Sequence, residues 1–146
     1  MNVSYINPFI ESCTEILKQV LYVSFEKGHM YIKQGYVTLN DVSISIGVTG
    51  EVKGNFYLNL SKETSLQIVS TMMGGYEVAE LDELATSAIS ELCNMVAGHA
   101  GMYFGKDNII IDITPPDITV NCSLSKRNYT SQAICVPLLL SNGGLI

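Results

Sequence analysis

The sequence predicts an α+β domain in which three helices pack on a largely antiparallel sheet of about six strands. Two observations support this prediction. The hydrophobic period changes along the chain between the helical spacing of three and four residues and the alternation typical of strands. The resulting segments follow the order helix, three strands, two helices, three strands. A chain of 146 residues can build one hydrophobic core, so we expect a single domain over residues 1–146.

The first half of the chain contains one helix and three strands. Asn7 as N-cap and Pro8 in the first turn predict a helix over residues 8–23, where apolar residues recur at helical spacing. The second strand is the clearest, because Val and Ile alternate strictly with Ser and Gly. The three strands are predicted at residues 31–39, 42–48 and 54–60.

The second half contains two helices and three strands. Ser61 caps the second helix, which should end at Gly74–Gly75, a strong stop signal. Asp82 and Glu83 supply negative charge to the start of the third helix. That helix is predicted at residues 80–104, followed by strands at 108–113, 117–124 and 130–140. Pro115–Pro116 separates the first two of these strands, and the polar stretch 125–129 separates the last two.

Composition excludes several classes of function. A net charge of −6 and a pI near 4.7 argue against a nucleic-acid partner, because an acidic chain is repelled by phosphates. No continuous apolar stretch predicts a signal peptide or a membrane span, so we expect a cytoplasmic protein. Four cysteines without a CxxC pair, and two histidines, give no zinc-type spacing. We therefore expect no metal site in the chain.

The third helix carries the candidate functional residues. Glu91 and Asn94 are three residues apart and share a helix face, on which Ser87 and Gly98 lie within about 60°. The opposite arc is apolar and should face the sheet. Flexible apolar side chains border the polar pair, which is typical of a docking groove. They are Leu84, Met95 and Met102. A merely solvated helix face is the alternative that the pattern leaves open.

Two reactive residue types on the same helix are interpreted structurally. Cys93 falls on the apolar side, which favours a buried thiol over a nucleophile. His99 lies about 80° from Glu91 on the wheel, at the rim of the face, and is expected to be a partly exposed helix histidine.

The central motif resembles the CheC–CheX–FliY family of chemotaxis phosphatases. The family pattern is Ser or Asp, then Glu four residues on, Asn three further, and a proline about twenty residues later. Ser87, Glu91, Asn94 and Pro115–Pro116 match it. The segment from Asn94 to Ala100 is most similar to the CheX branch. The first helix carries Glu11 and Glu15 but has Lys18 where a second site would need asparagine, so it is expected to have no working site.

The resemblance implies a CheX/CheC-like fold and a phosphatase acting on the aspartyl-phosphate of a CheY-type receiver domain. It implies that Asn94 positions the attacking water and that Glu91 pairs with the receiver's lysine, while Ser87 contacts the partner at the edge. Mg²⁺ would be supplied by the receiver, and the chain would be a homodimer. The alternative from a different class is a non-catalytic module for receiver binding or dimerisation.

Overall fold

The structure is a computed structural model that describes residues 3–22, 24–121 and 126–141. Within these residues, a short 3₁₀ turn at Val3–Tyr5 is followed by three helices and eight strands. The helices are α1 (Asn7–Leu21), α2 (Lys62–Met72) and α3 (Glu83–Lys106). The strands are β1 (Phe25–Lys27), β2 (Tyr31–Thr38), β3 (Val42–Gly50), β4 (Gly54–Leu60), β5 (Ile111–Ile113), β6 (Asp117–Val120), β7 (Lys126–Cys135) and β8 (Leu138–Leu140).

The central sheet is built around β3. One edge of β3 pairs with β4 in an antiparallel register from Val42↔Leu60 to Val48↔Gly54. The other edge pairs with β5 and β6, which follow each other along β3 and are both antiparallel to it. β5 and β6 therefore act as one interrupted edge strand.

The remaining four strands form two separate two-stranded sheets, of which the β2–β7 pair is here called the ribbon. β1 pairs with β8 through Phe25↔Leu140, and β2 pairs with β7 from Tyr31↔Cys135 onward, with a register shift near Gly35. Both pairs are antiparallel. β2 and β7 pack chiefly on each other.

The hydrophobic core lies where the helices cover the central sheet. α3 is the most buried helix, and α1 and α2 pack beside it. The α3 side chains with at most 1% exposure are Ala85, Ile89, Leu92, Cys93, Val96, Ala97, Ala100 and Phe104. They recur at the three-to-four-residue spacing of one helix face, as predicted. Tyr103 is only half-buried and turns toward α1.

The α+β class with antiparallel strands and three helices is confirmed. Ser61 caps α2 by accepting a hydrogen bond from the Thr64 N–H at 3.1 Å. Gly74 and Gly75, which follow α2, have positive φ values, a left-handed conformation that commonly terminates a helix. The expected capping role of Asn7 is wrong, because α1 begins at Asn7 itself and its N-cap position, Ile6, makes no side-chain cap.

The strand predictions need three corrections. In the described part of the chain, eight strands form one four-stranded and two two-stranded sheets, rather than one sheet of about six. β1 was not predicted, and β7 already begins at Lys126, inside the polar stretch expected to separate two strands. Pro137, which cannot donate a ladder hydrogen bond, lies between β7 and β8. Residues 122–125 of the predicted 117–124 strand lie outside the described residues.

None of the helices in the described part of the chain combines the length and the apolar character that crossing a membrane requires.

Candidate functional site

The candidate residues project from the outer face of α3. The helix starts at Asp82, whose side chain accepts a hydrogen bond from the Ala85 N–H at 2.8 Å. With the buried face fixed on the sheet, Glu91 is exposed and Asn94 is half-buried. The prediction that both residues point away from the core is therefore confirmed by their exposure.

Glu91 and Asn94 border a groove between α3 and the interrupted edge strand. Its cavity volume is about 570 Å³. The α3 side contributes Thr86, Ser87, Ser90, Glu91 and Asn94, and the opposite wall contributes Ile113, Thr114, Pro115, Pro116 and Ile118. The residues matched to the sequence motif, including both prolines, thus come together in one groove.

The proline wall is a bulge in the edge strand. Val48 of β3 pairs with Ile113, and Ser45 pairs with Asp117. Two β3 residues (46 and 47) therefore face three edge residues (114, 115 and 116), which is one extra residue on the edge strand. Bulges of this kind bend a strand and redirect its side chains. Because proline has no N–H to donate to the ladder, Pro115–Pro116 fits this interruption.

The chemistry available in the groove is limited to hydrogen bonding and one charge. Among the described residues that line it, Glu91 alone is titratable, and the others are hydroxyl, amide, proline and isoleucine side chains. An amide can donate and accept hydrogen bonds but cannot serve as a base. The groove can therefore orient a small polar molecule and bind a cationic group, but it offers no thiol or histidine as a nucleophile.

The other predicted contact residues lie outside the groove. Leu84 and Met102 are exposed on α3, with 63% and 64% exposure, and do not line the groove. Met95 is half-buried and packs against the core. Gly98 is exposed, and a Cβ placed there would meet no atom within 4 Å. These residues form a surface beside the groove rather than part of it.

Sequence reasoning missed half of the groove lining. Thr86 and Ser90 form a row with Asn94 at four-residue spacing, which a search for polar rows beside the motif could have found. Thr114, Ile113 and Ile118 become neighbours of α3 only through the pairing of β5 and β6 with β3. No local sequence signal encodes that contact.

Two other polar side chains of α3, Tyr103 and His99, contact α1 instead of the groove. The Tyr103 hydroxyl donates a hydrogen bond to Glu15 at 2.5 Å, which raises the pKa of Tyr103. His99 Nδ1 lies 3.4 Å from Ser12 Oγ and 3.9 Å from Glu15. The half-buried His99 thus belongs to the α1–α3 contact.

Cys93 is fully buried, as expected from the helix wheel. Burial, reinforced by the neighbouring Cys13, raises the pKa of the Cys93 thiol to about 12. Such a thiol stays protonated and unreactive at neutral pH.

A family model described as "Chemotaxis phosphatase CheX" matches residues 42–139, which is more than half of the chain and includes the whole groove. The chain belongs to the CheX family. The expectations of a CheX-type fold and of a phosphatase family are thereby confirmed.

In the described ranges, no three His, Cys, Asp or Glu side chains are grouped so that they could hold a metal ion.

Members of the CheX family and related structures resemble the chain over most of its length. A CheY-P phosphatase CheX of Thermotoga maritima is 36% identical over 135 residues, covering 88% of this chain and 83% of the relative. A CheC-like superfamily protein from Shewanella sp. PV-4 is 27% identical with a TM-score of 0.88, covering 99% and 95% of the two chains. A chain of the CheX–CheY–BeF₃–Mg²⁺ complex of Borrelia burgdorferi is 27% identical with a TM-score of 0.80, covering 97% and 92%.

Proposed function

We propose that this CheX-family protein removes the phosphoryl group from the aspartyl-phosphate of a CheY-type receiver domain. The observation that carries the proposal is the placement of Glu91 and Asn94 on the outer face of α3, beside an open groove that offers no thiol or histidine. The 36% identical Thermotoga maritima relative is named a CheY-P phosphatase. The Borrelia burgdorferi structure contains CheX together with CheY, BeF₃ and Mg²⁺.

Asn94 is assigned the positioning of water. Hydrolysis requires a water oxygen to attack phosphorus in line with the bond to the aspartate oxygen, which breaks as inorganic phosphate forms. The Asn94 side-chain oxygen would accept a hydrogen bond from this water and hold it on that line. The leaving group is a carboxylate, which is stable without a proton, so the reaction needs no general acid from the groove.

Glu91 is assigned the docking of the receiver. A carboxylate on an exposed helix face can pair with the lysine of the receiver's active site and fix the orientation in which Asn94 enters. Ser87, one turn before Glu91, would contact the receiver at the edge of the groove. The exposed or half-buried flank of Leu84, Met95, Gly98 and Met102 would extend the docking surface.

Mg²⁺ is assigned to the receiver rather than to this chain. When bound there, the ion neutralises charge on the transferring phosphoryl group. The part of this protein nearest the phosphoryl group would be the amide of Asn94, which is not a preferred sole ligand for that ion. This protein would therefore position the water beside the receiver's metal ion without binding the ion itself.

We also propose that the protein is a homodimer formed through the β2–β7 ribbon. An isolated two-stranded ribbon is marginally stable in water. Apolar side chains on and beside it are nonetheless exposed, including Met30 (50%), Tyr31 (48%) and Ile32 (61%). A second copy covering this patch would support the ribbon and remove apolar surface from water.

The test of the activity is loss of phosphate from a phosphorylated CheY-type receiver in the presence of Mg²⁺. Substoichiometric protein should accelerate the loss over the receiver's own rate. Measurable binding to the phosphorylated receiver without acceleration would contradict the proposal and favour a module that only sequesters the receiver.

A further inference from the structure

The bulge that forms the proline wall is hydrogen-bonded to β3 where it begins, through Thr114 and Gly47. The Thr114 N–H donates to the Gly47 carbonyl at 2.9 Å, as in an ordinary antiparallel pair. The return bond differs, because the Gly47 N–H donates to Thr114 Oγ1 at 2.8 Å. The hydroxyl thus takes the acceptor role that a backbone carbonyl has in a regular ladder.

The same hydroxyl also reaches the first proline. Thr114 Oγ1 lies 3.4 Å from the Pro115 carbonyl oxygen, to which it donates. A hydroxyl can accept one hydrogen bond while donating another. The side chain of Thr114 therefore links the central strand to the bulge, at the residue where the bulge starts.

Gly47 leaves the space that this arrangement needs. A Cβ at residue 47 would lie 3.0 Å from Thr114 Cγ2 and 3.1 Å from Thr114 Oγ1. Contacts this short force one partner to move by a few tenths of an ångström. The pair Thr114 and Gly47, hereafter the threonine clip, is thus complementary in shape as well as in hydrogen bonding.

We propose that Thr114 is a positioning residue for the phosphatase reaction. Thr114 and both prolines line the groove opposite Glu91 and Asn94. The threonine clip fixes the distance between these walls, and with it the depth and angle at which a docked receiver meets Asn94. In-line attack tolerates little error, since a displacement of about 1 Å can cost roughly 100-fold in rate. This inference rests on the proposed function.

The first test replaces the hydroxyl with a methyl group of similar shape. Thr114→Val removes both hydrogen bonds, whereas Thr114→Ser retains them. On a phosphorylated CheY-type receiver with Mg²⁺, Thr114→Val should lower kcat by roughly tenfold or more and leave KM within about threefold. Thr114→Ser should keep kcat near the wild-type value, because it retains both hydrogen bonds. Thr49→Val, an exposed threonine of β3 outside the groove, is the matched control and should not change kcat.

The second test uses the shape of the clip. Gly47→Ala should lower kcat by pushing Thr114 into the groove. Adding Thr114→Ser should recover much of that loss, because it removes the Cγ2 atom nearest the new Cβ. Each variant is also titrated with the beryllofluoride-loaded receiver to count the binding-competent molecules. Unfolding in urea shows whether the variant is folded under assay conditions.

Three results would overturn the inference. They are a wild-type kcat for Thr114→Val, a kcat loss that merely follows the binding-competent fraction, and no recovery in the Gly47→Ala/Thr114→Ser double variant. Asn94→Ala is measured in parallel. If Asn94→Ala is inactive while Thr114→Val is fully active, the positioning role fails and the proposed function stands. If Asn94→Ala is fully active, the water-positioning role of Asn94 fails, and if the wild type itself does not accelerate phosphate loss, the proposed function fails.

Discussion

Glu91 and Asn94 share a helix face, but their chemistry assigns them different steps. Glu91 is exposed and charged, so its contribution is expected in the docked complex before any bond breaks. Asn94 is half-buried against the groove and neutral, so its contribution is expected when water attacks. The two residues should therefore separate in kinetics, with Glu91 affecting binding and Asn94 affecting turnover.

At the level of the single residue, Glu91→Ala should weaken binding and activity together. Losing a charge-assisted hydrogen bond costs about 1.5–3 kcal/mol, which corresponds to roughly 10- to 150-fold in Kd. Titration of a beryllofluoride-loaded receiver measures Kd, and phosphate release measures activity. Glu63→Ala, which removes an exposed glutamate outside the groove, is the matched control. Unchanged Kd in Glu91→Ala would remove Glu91 from docking.

The motif residues were predictable because they are local. Ser87, Glu91 and Asn94 lie on one helix, whose spacing alone places them on one face. Pro115–Pro116 was recognised through the family resemblance. Thr114 could not be found in this way, because its importance depends on Gly47, which is 67 residues away in the chain. Side-chain-to-backbone contacts between distant strands leave no periodic signal.

At the scale of elements, α1 and α3 form a tightly packed pair. Tyr103 and His99 of α3 contact Glu15 and Ser12 of α1 across this seam. Cys13 and Cys93 lie at its buried side, each at most 5% exposed. The packing of α3 against α1 fixes the orientation of the helix, so its outer face presents Glu91 and Asn94 in a fixed orientation.

The buried thiols of this seam predict a loss of stability at alkaline pH. Burial raises the pKa of Cys13 and of Cys93 from 9.0 to about 12. A raised pKa in the folded state means that the unfolded chain releases these protons first. The stabilisation is therefore complete below pH 9 and is lost between pH 9 and about 12. The free energy of unfolding should fall by up to about 1.4 kcal/mol per pH unit for each thiol.

Urea unfolding between about pH 8 and 10.5 tests this pH dependence. The informative quantity is the difference between wild type and a Cys13→Ala/Cys93→Ala variant, because the two proteins share every other ionisable group. The wild type should show the steeper decline. Equal slopes would mean that the two thiols are not shielded from water in the folded protein.

Helices and strands differed in how well the sequence predicted them. The ends of α2 were marked by Ser61 and by Gly74–Gly75, both local signals that the structure confirms. β1 has three residues and exists because β8, more than a hundred residues later, pairs with it. The extent of β7 likewise depends on β2 rather than on its own polar sequence. Short strands defined by distant partners cannot be identified from periodicity.

At the scale of the whole molecule, the exposed ribbon predicts self-association. We expect a dimer at micromolar concentration in size-exclusion chromatography with light scattering. Ile32→Lys places a charge on the 61% exposed ribbon residue and should shift the protein toward monomer. Ile110→Lys, at an exposed isoleucine outside the ribbon, should leave the dimer intact. A wild-type monomer under these conditions would contradict the dimer proposal.

The groove and the ribbon are built from different parts of the molecule. The groove uses α3 and the β5–β6 edge, and the ribbon uses β2 and β7. A dimer formed through the ribbon would thus leave the groove of each copy open to a receiver. We expect Ile32→Lys to retain phosphatase activity per chain.

The central claim is that Asn94 positions the water that attacks the receiver's aspartyl-phosphate. The most direct measurement is phosphate loss from a phosphorylated CheY-type receiver with Mg²⁺ in the presence of Asn94→Ala, with receiver binding measured on the same sample. Asn55→Ala, at an exposed asparagine of β4, is the control. The account predicts that Asn94→Ala binds the receiver with nearly wild-type affinity but no longer accelerates phosphate loss. Full acceleration by Asn94→Ala would contradict it.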